Sequence, residues 1–158
     1  MIEYIKKDLT TITHGVIGQG VNCQGKMGKG VAKDIRNKWP IVYSQYLLMC
    51  SSHSPEELLG TAHLINVGDT QSTGINQLFV ANCFTQEFYG RDGKRYADPL
   101  AIKKALTNTL EFCKGIDLPL YMPKIGCGLG GLNWEKDVLS IIEELDAQFQ
   151  LPIFICGV

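Results

Sequence analysis

Asn22-Cys23-Gln24-Gly25-Lys26-Met27-Gly28-Lys29-Gly30-Val31 is the stretch from which the rest of the chain is read. An apolar run ends just before it at Val21 and a helical pattern follows it, so it reads as strand, glycine loop, helix. Glycines there let the backbone turn with positive φ and let a ligand approach bare N–H groups. The first turn of the following helix supplies unpaired donors and the positive end of a dipole, which suits phosphate. Lys124-Ile125-Gly126-Cys127-Gly128-Leu129-Gly130-Gly131-Leu132 repeats the chemistry near the other end, again after an apolar run and before a helical pattern. Either loop alone is as well read as a tight turn. Together they predict one site that grips a diphosphate from both sides.

Outward from these loops, strands and helices alternate. Ile2 to Ile5 is a short first strand, and Gly15 to Val21 is small and apolar, as a central strand covered on both faces would be. Beyond the first loop Val31, Ile35 and Trp39 recur at helical spacing, Pro40 ends or bends that helix, and Tyr43, Tyr46, Leu47 and Cys50 give a second stripe. Ser54-Pro55-Glu56-Glu57 is a helix-start signal. Ala62 to Val67 and Leu78 to Phe84 read as a hairpin-like pair of strands around a turn-rich Gly68 to Gly74. Gln86 to Tyr96 is a loop long enough to reach over a site. Asp98-Pro99 opens the clearest helix, with Ile102, Leu106, Leu110 and Cys113 as its buried stripe. Leu118 to Met122 is a strand feeding the second loop, Asn133 caps a helix with the stripe Val138, Ile141, Ile142 and Leu145, and Leu151 to Cys156 is a closing strand. This order predicts a three-layer α/β/α sandwich around a mixed, mostly parallel sheet of about six strands. One domain over 1–158 is expected, with its ligand site beyond the carboxyl ends of the strands.

Composition narrows the function classes. A chain of 158 residues suits one domain, which buries about 70% of its unfolded surface. The net charge is −1 and there is no basic run, so a broad footprint for duplex nucleic acid is absent, while a local contact stays open. No apolar run approaches the ~20 residues of a membrane span, and the N-terminus lacks signal-peptide form, so no membrane partner and a cytoplasmic setting are expected. The six cysteines form no C-x-x-C pair and none sits at zinc-finger spacing with His14, His53 or His63, so no metal is expected. Several lie in apolar runs and read as buried reduced thiols. Cys23 and Cys127 lie in the glycine loops without an obvious histidine partner for a thiolate nucleophile.

The first loop departs from both common phosphate fingerprints. Gly25 to Gly30 has P-loop glycine spacing, but Val31 stands where Lys is required; Gly28 and Gly30 open a dinucleotide pattern that Lys33 breaks. The chain resembles something else. Val21-Asn22-Cys23 with Gly25-Lys26-Met27-Gly28-Lys29-Gly30-Val31-Ala32, the stretch from Met122 to Trp134, and the N-terminal Tyr4-Ile5-Lys6-Lys7-Asp8-Leu9 are similar to a macro domain. Within that family they resemble the branch of ADP-ribose 1″-phosphate phosphatases, terminal ADP-ribose protein glycohydrolases and DNA ADP-ribosyl glycohydrolase antitoxins. The likeness covers nearly the whole chain in order.

The resemblance implies a binding set. Asp8 would accept the adenine amino group, with the Leu9 backbone beside it, and Asn22 would hold the distal ribose hydroxyls. Gly28, Lys29, Gly30 and Val31 would wrap the diphosphate and distal ribose, with Gly20 and Val21 beneath. Ile125, Gly126, Cys127, Gly128, Leu129 and Gly130 would form the second phosphate loop. The family's catalytic groups are not all present. Gln86 follows Asn82-Cys83-Phe84-Thr85 where glycohydrolases carry Lys, Gly130 stands in place of an Asp, and Gln19 stands where the yeast-type phosphatase carries His. Gln19 and Asn22 are then the candidate catalytic residues, orienting ribose and water, with His14 a fallback acid or base and Arg91, Asp92, Lys94, Arg95 and Tyr96 a candidate cap on the distal phosphate. The implied activity is ADP-ribose binding and hydrolysis of ADP-ribose 1″-phosphate, without a cofactor. The alternatives are glycohydrolysis of ADP-ribosylated protein or nucleic acid, and a non-catalytic ADP-ribose reader.

Overall fold

The computed structural model describes residues 1–68, 77–90, 92 and 94–157; Arg91 and all of the turn-rich stretch after Gly68 lie outside them. Strands β1 (Ile2–Ile5), β2 (Gly15–Asn22), β3 (Ala62–Asn66), β4 (Leu78–Gln86), β5 (Leu120–Met122) and β6 (Ile153–Cys156) form one sheet in the order β1-β6-β5-β2-β4-β3. Every neighbouring pair is parallel except β3 with β4, where Ala62 lies opposite Cys83 and Asn66 opposite Phe79. The expected mixed, mostly parallel sheet and the hairpin-like pair are both present.

Side chains alternate across the sheet, and the two faces build two cores. Val16 and Ala81 point to one face, under α4 (Pro99–Ile116) and α5 (Leu139–Phe149), where they meet Ile102, Leu106, Ile142 and Leu145. Ile17 and Val80 point to the other, under α1 (Gly30–Lys38), α2 (Pro40–Ser52) and α3 (Pro55–Leu58), where they meet Ile35, Val42, Tyr46 and Leu58. Burial of each large aliphatic side chain contributes about 1.5–3 kcal/mol. The result is the expected α/β/α sandwich. Among the described residues no helix is long and apolar enough to cross a membrane.

Caps set the helix starts where the sequence places them. Asp98 Oδ1 accepts from Leu100 N–H at 2.9 Å with Pro99 in the first turn of α4, and Ser54 and Glu57 exchange hydrogen bonds at the start of α3. Two expectations need correction. In α2 the buried residues are Val42 and Tyr46, while Leu47 is exposed; apolar residues run all round this helix, so their spacing does not select a face. Asn133 caps a single π-helical turn, Trp134–Val138, and α5 continues from it.

Because β1, β6, β5, β2 and β4 run parallel, their carboxyl ends share one edge. β2 and β5 are neighbours there, yet the chain leaves β2 toward the α1–α3 face and β5 toward the α5 face. Adjacent strands that diverge open a crevice between their loops. The two glycine stretches are those loops.

Candidate functional site

The crevice is a cleft of about 910 Å³. Gly28, Lys29, Gly30 and Val31 line one side, Ile125, Gly126, Gly128, Leu129 and Gly130 the other, and Gln19, Gly20, Val21 and Asn22 lie at the end of β2 between them. A smaller pocket of about 120 Å³, lined by Asp8 and Leu9, shares Val31 and Pro123 with the cleft and extends it toward the ends of β1 and β6. The structure therefore assembles the sequence-derived binding set around one continuous depression, except for Cys127. That residue lines neither pocket; its thiol points to the Ile125 carbonyl at 3.5 Å.

The first loop is organised by Asn22 and Tyr46. Asn22 Nδ2 donates to the Lys26 carbonyl at 2.8 Å, and its Oδ1 accepts from Gln24 N–H at 2.9 Å. The buried Tyr46 hydroxyl lies 2.7 Å from both the carbonyl and Oδ1 of Asn22, and accepts from Gly25 N–H at 3.1 Å. Burial pushes the Tyr46 hydroxyl well above its usual pKa, which keeps it a neutral donor. Asn22 thus closes the loop on itself rather than holding its amide out to the cleft. Loop N–H and C=O groups this close to the core need partners, and the amide supplies both kinds.

At the end of this loop α1 begins without a capping side chain, since Lys29 makes no cap hydrogen bond. A Cβ on Gly28 would meet nothing within 4 Å, so this glycine leaves open space rather than relieving a clash. The first-turn N–H groups of α1 thus lie where an anion can reach them.

The second loop is held by main chain. Leu132 N–H donates to Gly126 O at 3.0 Å and Gly131 N–H to Gly128 O at 3.2 Å. Tyr96 and Ala97 N–H both donate to Gly130 O, at 2.9 and 3.0 Å. The segment read as a phosphate cap therefore clamps the loop from behind. Asp92 accepts from the Tyr96 hydroxyl at 2.9 Å and lies 3.7 Å from Lys94, Arg95 pairs with Asp137 at 3.5 Å, and none of these side chains lines the cleft. Tyr89 and Gly90, earlier in the segment, do line it.

The cleft's charge is one-sided. Lys26, Lys29, Arg36 and Lys124 line it, and among the described residues no Asp, Glu or His does. Arg36 lies with its guanidinium carbon 3.7 Å from the centroid of the Tyr43 ring, and both residues line the cleft. Sequence reading missed these two; the available signal was that Arg36 stands four residues after Ala32 and so shares its helix face.

The end of β2 carries polar atoms that the protein leaves unpaired. Gln19 is 1% exposed and donates from Nε2 to Asn82 Oδ1 at 2.8 Å. Gln19 Oε1, Asn82 Nδ2 and Thr85 Oγ1 have no hydrogen-bond partner among the described residues. Thr85 is the extra residue of a bulge: Val21 pairs with Phe84 but Asn22 with Gln86. Buried orphans of this kind call for a water or a ligand.

Other candidates fall away from the site. His14 is exposed and precedes β2, at the opposite end of that strand from the cleft. The Cys23 thiol is buried, and desolvation pushes its pKa up to about 12, which removes it as a thiolate at neutral pH. Among the described residues no three His, Cys, Asp or Glu side chains gather into a metal-sized cluster.

Comparison with known proteins agrees with this geometry. The Macro domain family model matches residues 19–142. An ADP-ribose 1″-phosphate phosphatase of Debaryomyces hansenii is 33% identical, over 92% of this chain and 96% of its own length. A DNA ADP-ribosyl glycohydrolase of Mycobacterium bovis is 25% identical over 85% of this chain, a match that spans 36% of that protein. Among solved structures, a protein of unknown function from Bacteroides thetaiotaomicron superposes with a TM-score of 0.84 at 29% identity, covering 99% of this chain and 97% of that one.

Proposed function

The chain belongs to the macro domain family, and from that premise we propose that it binds ADP-ribose and hydrolyses ADP-ribose 1″-phosphate to ADP-ribose and phosphate. The observation that carries this reading is the cleft lined by Lys26, Lys29, Arg36 and Lys124, with no carboxylate among the described residues that line it. A diphosphate needs some of that charge, and a terminal phosphomonoester adds about −1.5 to −2 near pH 7. The phosphatase relative at 33% identity supports the same choice. A cytoplasmic setting and one working domain over 1–158 go with it.

In this reading Asp8 takes the adenine amino group. Its Oδ1 already accepts from Thr10 N–H and Oγ1–H, at 2.9 and 2.8 Å, which leaves Oδ2 for the base. The diphosphate lies between the first turn of α1 and residues 126–130, and the closed Asn22 loop shapes the distal ribose pocket. Gln19 Oε1, held by the Nε2 hydrogen bond to Asn82, orients the attacking water. An amide does not take the proton at neutral pH, so the proton passes to a phosphate oxygen as the new P–O bond forms. As the bond from phosphorus to the anomeric oxygen breaks, that phosphate-held proton passes on to the anomeric oxygen, which leaves as the ribose hydroxyl. The cationic side chains that line the cleft stabilise the charge that develops on the terminal phosphate.

A glycohydrolase reading has the Mycobacterium relative in its favour. Against it, Gln86 stands in place of the lysine, and its amide donates to the Phe88 carbonyl at 2.7 Å. Calorimetry with ADP-ribose, followed by phosphate release from ADP-ribose 1″-phosphate in the same preparation, tests the choice. Micromolar binding, with release that falls at least about tenfold in Gln19→Leu, is expected. Binding without release turns the reading to a reader or to another hydrolase substrate. No binding withdraws the assignments of Asp8 and Asn22.

A further inference from the structure

Helix α1 borders both parts of the depression and, beyond Val31, presents a different side to each. Asp34 and Ile35 face the small pocket with Asp8, while Ala32 and Arg36, one helical turn apart, face the large cleft. Arg36 is six residues beyond Gly30, about 9 Å along the axis from the helix start. It therefore stands apart from the donors at the N-terminus that suit a diphosphate.

Its setting is that of an anion receptor. The Tyr43 ring lies 3.7 Å from the guanidinium carbon and holds one face of that plane, while the in-plane N–H groups remain available for an anion. The ion pairs of the described residues join Met1 to Asp146, Lys94 to Asp92, Arg95 to Asp137 and Lys103 to Glu144; Arg36 belongs to none of them. Among the described residues no carboxylate lines the cleft to neutralise it. A stacked guanidinium with a free edge matches a phosphate bidentately, which a lysine ammonium does not.

We propose that Arg36, fixed by stacking on Tyr43, is the specificity-determining receptor for the ligand's terminal phosphomonoester, separate from the diphosphate site between the glycine loops. The inference rests on the phosphatase reading above and assigns the group that tells ADP-ribose 1″-phosphate from ADP-ribose. It also predicts a pH dependence. The monoester loses its second proton at a pKa of about 6, so the preference for the phosphorylated ligand grows between pH 5.5 and pH 7.5. Among the described residues the titratable groups lining the cleft beside Arg36 are Lys26, Lys29, Lys124, Tyr43 and Tyr89, with no His, Asp or Glu, so the ligand supplies the titration near pH 6.

The test compares wild type with Arg36→Gln, Arg36→Lys and Tyr43→Leu, using the full chain. It measures KM and kcat for phosphate release from ADP-ribose 1″-phosphate and, by calorimetry, the Kd of each ligand. Arg36→Gln is expected to raise KM and the Kd of the phosphorylated ligand about tenfold, and to change the Kd of ADP-ribose less than twofold. Arg36→Lys recovers part of the loss, and Tyr43→Leu costs about threefold. Equal weakening of both ligands overturns the proposal, because Arg36 then serves the diphosphate or the fold. An unchanged ratio with phosphate still released overturns it while leaving the phosphatase reading intact. Wild-type protein that binds both ligands equally and releases no phosphate removes both.

Discussion

The two glycine loops face each other across one cleft and are built by opposite means. Residues 22–30 are held by side chains: the Asn22 amide and the Tyr46 hydroxyl collect the loop's N–H and C=O groups. Residues 123–131 are held by main chain, through their own turns and through the donors of Tyr96 and Ala97 on Gly130 O. Hydrogen bonds from a side chain can be exchanged for bonds to a ligand without moving a strand. A lattice of backbone bonds with glycines pressed against it cannot yield so easily. One wall of the cleft is therefore suited to adapt, and the other to serve as a fixed template.

The comparison breaks first at Gly131. Its φ is +81°, and a Cβ there would clash with Lys94 O, a backbone atom rather than the end of a flexible side chain. Gly131→Ala is expected to destabilise the fold by about 3 kcal/mol in chemical denaturation. A loss below about 1 kcal/mol would mean that the second loop shifts freely, and the rigid-template description would fall. Tyr46→Phe probes the other wall. It removes one hydroxyl that serves three loop atoms and is expected to cost about 1 kcal/mol of stability. ADP-ribose affinity should fall about fivefold as the loop loses its closed form. Wild-type affinity in this variant would show that ligand contacts alone order residues 22–30.

Gly28 sharpens the contrast. It has no positive φ and no neighbour within 4 Å of a Cβ, so the fold tolerates an alanine there. Gly28→Ala should leave the denaturation midpoint unchanged or slightly raised, because alanine reduces the freedom of the unfolded chain. Calorimetry should show ADP-ribose binding about threefold weaker, since the methyl group stands where the ligand approaches. Unchanged binding would place the diphosphate away from the start of α1.

These differences mark the limit of what the residues alone disclose. The sheet and both loops are legible because β2 and β5 are apolar runs that lead into glycine-rich loops, and because Asp98-Pro99 and Ser54-Pro55 announce their helices locally. The cleft follows from parallel strands, whose carboxyl ends must share an edge. The Asn22–Tyr46 contact is not legible, because it joins positions 24 apart through a helix whose apolar residues point in all directions. Thr85 is hidden for a different reason: a bulge shifts the β2–β4 register by one, and nothing in Phe84-Thr85-Gln86 signals it. Arg36 reads as a solvated helix residue until α1 is seen to wall the cleft. Of the residues read as a phosphate cap, Lys94 and Arg95 pair with Asp92 and Asp137 and do not line the cleft, while Arg91 lies outside the described residues.

The smallest effect is expected at the cysteine of the second loop. Both loops carry one, and thiolate chemistry would make either a nucleophile. Cys23 is disqualified by its burial and a pKa of about 12. Cys127 is only half-buried, so exposure alone does not exclude it. Desolvation first, and then the nearby Asp137 carboxylate, raise its pKa despite an opposing effect from Lys124. It is thus a neutral thiol at pH 7, and its Sγ points to Ile125 O rather than into the cleft. Cys127→Ser keeps a donor of similar size and should change kcat and ADP-ribose affinity by less than about twofold, with stability within about 0.5 kcal/mol of wild type. A loss of turnover of a hundredfold or more, with binding intact, would make this loop a covalent participant. The two walls would then differ in chemistry as well as in stiffness, and the water-based route through Gln19 would have to be given up.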